Sequence, residues 1–236
     1  RKDYRLFSSW LSVTTALGLL DVPHWTTLQK AFARLPPSLL RKLVRLSGKC
    51  KDKIASLDPT YYQLTNPSKG YCRRINRDPR RDKLRKVTVL VGTKKKKVID
   101  VFLKAKERHG MKDVPEISRC GGFNNRIILA DKEFDAEEFH QIVEDSGGRS
   151  IVPPKYPDVP IYRTKGKHRK ELKRKGIPKI YRFRSTSESN NSAVKRRLSS
   201  VLRGKTFWQQ ARDLYGKYLA YNLVKDCFLK IIGTFY

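Results

Sequence analysis

Ile54-Ala55-Ser56-Leu57-Asp58 and Arg126-Ile127-Ile128-Leu129-Ala130-Asp131 are short apolar runs that each end on an aspartate. An unbroken apolar run of this length, bounded by polar residues, suits a strand covered on both faces. A carboxylate at the end of such a strand is carried by a rigid element to the rim of the core, where sites are built. One aspartate in that position is usually a turn residue or a helix cap. Two of them in a strongly basic chain point instead to a metal-bridged phosphate site. Hard divalent cations take oxygen ligands, and a pair of them can clamp the attacking and leaving oxygens of an in-line displacement.

Outward from these runs, the pattern is that of a mixed sheet with helices. Val87–Val91 and Val98–Leu103 are β-rich and flank Gly92-Thr93-Lys94-Lys95-Lys96-Lys97, which predicts a hairpin. The four-lysine run reads as a solvated turn. A short helix is expected from Pro115 to Arg119 and another over Asp135–Glu144. A short strand is expected at Ser150-Ile151-Val152, a basic arm over Arg163–Lys179, and long helices from Tyr181 to Leu202 and from Trp208 onward. The order β, β, β, β-α-β, then helices, makes the chain an α/β protein. Residues 1–50 read as helical. Tyr4, Leu6, Phe7, Trp10 and Leu11 recur at near-helical spacing, and Thr26 with Gln29 has the spacing of a capping box. A helix-turn-helix unit and a plain helical support fit this region equally. We therefore expect a helical N-terminal region over 1–50 and a catalytic domain over 51–236. The only methionine is Met111, so a missing N-terminal piece is also expected.

Charge narrows the partners. Lys and Arg number 53 against 22 Asp and Glu, a net of +31, and 39% of residues are hydrophobic. That composition supports a core and calls for a polyanion, with nucleic acid first and an anionic membrane surface second. No run of eighteen apolar residues occurs, so no membrane span is expected. Cys50, Cys72, Cys120 and Cys227 are scattered without a CxxC pair, which suggests neither a zinc site nor a disulfide framework. His24, His109, His140 and His168 fall in no hydrolase pattern.

The third acid comes from the helix. Tyr181, Arg184, Glu188 and Lys195 follow at spacings of three, four and seven, which places them on one helical face. By spacing alone this is an ordinary charged stripe. The series Tyr-x2-Arg-x3-Glu-x6-Lys, however, resembles the YREK signature of bacterial and archaeal insertion-sequence DDE transposases. The surrounding Ser189, Ser192-Ala193-Val194 and Arg196-Arg197 resemble it as well. So do Val22-Pro23-His24-Trp25-Thr26-Thr27-Leu28, Leu57-Asp58-Pro59-Thr60, Ala130-Asp131-Lys132 with Phe134-Asp135, and Leu219-Ala220-Tyr221-Asn222-Leu223, in the expected order along nearly the whole chain.

The resemblance implies a ribonuclease-H-like mixed sheet flanked by helices. It also implies metal-dependent strand cleavage and strand transfer at insertion-sequence ends. Asp58, Asp131 and Glu188 match the catalytic, metal-binding acids, holding two Mg²⁺ (or Mn²⁺) ions. Tyr181, Arg184, Lys195, Arg196 and Arg197 match the DNA-binding positions, with Arg184 either contacting phosphate or steadying the acids. The implied partners are double-stranded DNA, both transposon ends and target, and a second copy of the chain in a homodimer on DNA. The implied location is the cytoplasm of a prokaryote, at the nucleoid. Two positions depart from the family pattern. Glu133 stands where glycine is usual, and Asn190-Asn191 replace a usually apolar pair one turn from Glu188. If that face is buried, the two amides need partners. These departures leave an inactive or truncated copy as an alternative to an active enzyme. Two others are a non-catalytic basic nucleic-acid-binding protein and a nuclease or resolvase on the same fold.

Overall fold

The computed structural model describes residues 23–64, 74, 84–104 and 110–233, with side chains through 227. The helical pattern at Tyr4–Leu11, most of the basic stretch 66–86, Cys72 and His109 lie outside the described residues.

The sheet has six strands: β1 Ile54–Leu64, β2 Leu84–Gly92, β3 Val98–Leu103, β4 Ile127–Ala130, β5 Arg149–Ile151 and β6 Val201–Leu202. Their order is β3-β2-β1-β4-β5, with β6 also paired to β1. β1 and β3 run antiparallel to β2, while β4 and β6 run parallel to β1 and β5 parallel to β4. Seven α-helices are described: α1 Trp25–Arg34, α2 Pro37–Ser47, α3 Val114–Arg119, α4 Glu137–Asp145, α5 Lys167–Lys175, α6 Ser185–Leu198 and α7 Phe207–Gly233. The strand and helix order predicted the mixed α/β sheet, and its architecture is the ribonuclease-H-like one that the resemblance implies.

Side chains alternate along a strand, so each apolar run divides between two cores. Ala55, Leu57, Leu90, Ile128 and Ala130 face one layer, closed by Val114 and Ile117 of α3 and Phe139 and Val143 of α4. Val87, Val89, Val91, Val98 and Val101 face the other, closed by Val194 of α6 and by Leu214, Tyr215 and Tyr218 of α7. Leu40 and Val44 of α2 belong to this second core. Burial on both faces is why the strands read as unbroken apolar runs.

Several local expectations are corrected. β1 does not stop at Asp58 but continues through Pro59 to Leu64. Antiparallel pairing with β2 carries it on, from Ala55↔Gly92 to Gln63↔Leu84. Parallel pairing with β4 does end at Leu57↔Ala130, and β6 rejoins the same edge only at Gln63↔Val201. That edge of β1 is therefore open from Asp58 to Tyr62. The long helix expected over Tyr181–Leu202 is three pieces: a 3₁₀ turn at Lys179–Arg184, then α6, then β6. Ser199, at a φ of +77°, ends the helix. α1 is capped by His24, whose ring accepts from the Thr26 amide, rather than by Thr26. In the lysine turn, Lys94 to Lys96 are exposed, but Lys97 is buried. Its ammonium donates to Ser47 O and pairs with Asp226.

Candidate active site

The register Leu57↔Ala130 puts the next residues of both strands, Asp58 and Asp131, side by side where β4 ends. Neighbouring strands lie about 4.8 Å apart. Along β1, Ser56, Asp58, Thr60 and Tyr62 share the face opposite Ala55 and Leu57. This gives one polar stripe in a strand otherwise bound for the core, and α6 lies across it. Ser56 Oγ lies within hydrogen-bond reach of both Arg184 O at 3.0 Å and Ser187 Oγ at 2.8 Å, its one proton serving either, which fixes the start of α6 on β1.

From that anchor, Arg184, Glu188, Asn191 and Lys195 follow at helical spacing along the polar stripe. Tyr181 and Arg184 stay aligned despite the 3₁₀ turn, because residues three apart are eclipsed there. The Arg184 fork bridges two acids: Nη1 is 3.5 Å from Asp58 Oδ1, and Nη2 is 2.5 Å from Glu188 Oε1. Asn191 Nδ2 lies 3.4 Å from the other oxygen of Asp58. Lys195 Nζ donates to Thr60 Oγ1 at 2.6 Å and sits 5.3 Å above the Tyr62 ring. Asp131 Oδ1 accepts from its own neighbour's amide, Lys132 N, at 2.7 Å, so it also caps the following 3₁₀ turn.

The electrostatics follow from this crowding. Burial pushes the Asp58 carboxyl up to about 6; Arg184 opposes the rise, and the charges of Glu188 and Asp131 add to it. Burial works against the Arg184 charge, but Tyr181, Glu188 and Asp131 hold that guanidinium above its ordinary value. Burial lowers Lys195, partly offset by Asp58. Burial likewise raises the Tyr181 phenol to about 12. Its hydroxyl donates to Ala130 O at 3.3 Å, beside Asp131.

The three acids offer only hard oxygen donors, the chemistry a divalent cation takes. Among the described residues, however, no three His, Cys, Asp or Glu side chains are gathered closely enough to hold a metal ion. Here the Arg184 guanidinium balances Asp58 and Glu188, and a cation would have to displace it. The donor set fits such an ion, provided Arg184 swings aside.

Arg196 and Arg197 are exposed at the far end of α6, away from the acids. Arg197 lines a groove of about 730 Å³ with Phe32, Arg203, Arg212 and Lys217. Glu133 does not enter the site. It pairs with Lys86 and accepts the Gly110 amide at 3.2 Å.

A family model described as a transposase DDE domain matches residues 50–223. The chain belongs to the DDE transposase family. Its members form a polynucleotidyl-transferase type of enzyme acting on DNA, and they generally use divalent metal ions. No curated protein matches the chain. Among the described residues, no helix is long and apolar enough to cross a membrane.

Ser56, Ser187 and Tyr218 did not stand out in the sequence, and Asn191 stood out only as a departure from the family pattern; all four lie in the hydrogen-bond network around Asp58 and the start of α6. A signal was present. Ser187, Asn190, Asn191 and Val194 recur at the i, i+3, i+4, i+7 spacing of a buried helical face, yet three of the four are polar.

Proposed function

We propose that this chain is a transposase of the YREK kind that cleaves and joins DNA strands at insertion-sequence ends. Asp58, Asp131 and Glu188 would hold two Mg²⁺ or Mn²⁺ ions. The observation that carries the reading is the placement of Asp58 and Asp131 one residue beyond the last β1–β4 pair, Leu57↔Ala130, with Glu188 tethered to Asp58 through Arg184.

Bound ions would stabilise the charge on the phosphate and on the attacking and leaving oxygens. The chain's own residues do the rest. Arg184 neutralises Asp58 and Glu188 in the metal-free protein, and once released it is a bidentate donor for a DNA phosphate. Lys195, held on Thr60, keeps a cation two residues along the strand from Asp58. Arg196 and Arg197 extend the basic surface outward for the duplex, and Tyr181 closes the Asp131 side. The partners are transposon-end and target DNA, with a homodimer on DNA in the cytoplasm of a prokaryote, at the nucleoid. Residues 51–236 act as the catalytic domain, and 1–50 as a helical N-terminal region whose α2 shares the sheet's core.

The test is to incubate purified protein with the DNA flanking its own gene, with and without Mg²⁺. End-specific nicks and strand-transfer products that require the metal and vanish in Glu188→Gln support the reading. Hydrolysis without end specificity or joining would make the chain a nuclease, and binding without cleavage a non-catalytic DNA-binding protein.

A further inference from the structure

Asn191 is almost wholly buried, at 4% exposed, and its amide is held from two sides. Nδ2 points to Asp58 Oδ2 at 3.4 Å, and Oδ1 accepts from the Tyr218 hydroxyl at 3.2 Å. Tyr218 in turn accepts from the Tyr62 hydroxyl at 3.1 Å, and the two rings pack edge to face at 6.3 Å. Tyr62 and Tyr218 are fully buried. The chain of hydrogen bonds leaves β1 at Tyr62, crosses α7 and α6, and returns to β1 at Asp58, four residues away. The neighbouring Asn190 is pinned in the same manner. Its Nδ2 donates to Lys96 O at 3.0 Å, and its Oδ1 accepts from Tyr221. The amide pair thus locks α6 between the sheet and α7.

The direction of these bonds is forced. A carboxylate oxygen only accepts, so Asn191 must present its NH₂ group to Asp58. Its carbonyl then faces Tyr218, which must donate, and Tyr62 donates to Tyr218. A leucine at 191 would leave the Tyr218 hydroxyl without its acceptor and Asp58 Oδ2 without its donor, and buried polar groups left unpaired are costly. The outer oxygen, Oδ1, is the one that faces Arg184.

We infer that Asn191, oriented by Tyr218 and Tyr62, is a positioning residue for the DNA-cleaving site. It holds Asp58 Oδ2 inward, so that Oδ1, which faces Arg184 here, is the oxygen that would be left to hold a divalent cation. The inference rests on the proposed metal-dependent function, and the Asn pair that departs from the family pattern acquires a task through it. Hydrogen-bond partners of metal-binding side chains typically change metal affinity on the order of 10–100-fold when removed.

The test uses the full chain and Mn²⁺ alone. Bound Mn²⁺ is titrated by electron paramagnetic resonance in the parent, Asn191→Leu, Tyr218→Phe and Asp58→Asn proteins. Fold is checked by circular dichroism, and affinity for the chain's own end DNA is measured in EDTA. Both Asn191→Leu and Tyr218→Phe should weaken Mn²⁺ binding, the first by the larger factor, while DNA affinity in EDTA stays at the parental value. A helix displaced for purely structural reasons would instead weaken DNA binding along with metal binding. Tyr218→Phe keeps the ring and its packing, so it decides the matter if Asn191→Leu fails to fold. Parental Mn²⁺ affinity in both variants, with Asp58→Asn still lowering it, overturns the inference and leaves the proposed function standing. Mn²⁺ binding indifferent to Asp58→Asn overturns both.

Discussion

Replacing Asp58 with asparagine should make the metal-free protein more stable at neutral pH. Burial, with Glu188 and Asp131 nearby, pushes the Asp58 carboxyl from its ordinary 3.8 up to about 6. The folded state therefore holds this proton more tightly than the unfolded chain does. Below 3.8 the group is protonated in both states and has no effect. As pH rises toward about 6, ionisation of the unfolded chain progressively favours unfolding, and above that the penalty is complete. The gap corresponds to about 3 kcal/mol at about 1.4 kcal/mol per pH unit. Solvent at the rim of the site and the Arg184 fork relax around the charge, so about 1–2 kcal/mol should survive. Asparagine keeps the size and the acceptor for Asn191 while removing the charge. For a chain of this length the gain appears as a melting temperature higher by about 2–8 °C. The assay is thermal melting of parent and Asp58→Asn in EDTA at about pH 7.5 and about pH 4.5, with the gain shrinking at the lower pH. A variant no more stable than the parent at neutral pH, or a gain equal at both, would refute the reasoning. The ionised acid costs the fold stability that a surface aspartate would not, a common signature of a residue kept for function.

Glu188 has a side chain 53% exposed, so Glu188→Gln should alter stability by no more than about 0.5 kcal/mol. It should keep DNA binding and lose cleavage, and persistent cleavage would remove Glu188 from the triad. Asp100 is wholly buried and pairs with Arg41 at 2.6 Å. Asp100→Asn, read by urea denaturation, should cost about 3 kcal/mol by taking the charge of its two-bond partner from a buried guanidinium and leaving it only Glu116, and a near-neutral result would show the Asp100 charge to be dispensable. Leu214→Ala, at a fully buried position of α7, should cost about 2–5 kcal/mol in the same assay. Lys167 and Arg174 are exposed on α5. Changing each to Gln should flatten the dependence of log K on log salt by about one, and an unchanged slope would move the DNA path off this helix.

The part of the fold that was legible came from local rules. The β-rich runs Val87–Val91 and Val98–Leu103 around a polar tip gave the hairpin. The apolar runs at 54–57 and 127–130 gave two buried strands, since a strand covered on both faces reads that way; their parallel pairing is a finding of the tertiary structure. The local rules failed where tertiary pairing overrode them. Pro59 looked like the end of a strand, yet β2 carries β1 on to Leu64. Tyr181–Leu202 looked like one helix, yet its last residues turn to pair with Gln63 and Leu64. Lys97 looked like the fourth member of a solvated run, yet it reaches Ser47 O and Asp226.

By itself the sequence determined the sheet class, the basic character and the candidates Asp58, Asp131 and Glu188, because periodicity, charge and motif spacing are properties of neighbours along the chain. Only the tertiary structure decided what those candidates meet. Arg184 reaches Asp58 across 126 positions, Asn191 reaches it across 133, and Tyr62 meets Tyr218 across 156. Asn190 and Asn191, a liability when read along the helix, became its fastening once α7 and the hairpin supplied Tyr218, Tyr221 and the Lys96 carbonyl. A buried amide costs or stabilises according to the group opposite it, and here that group lies on another element of the fold.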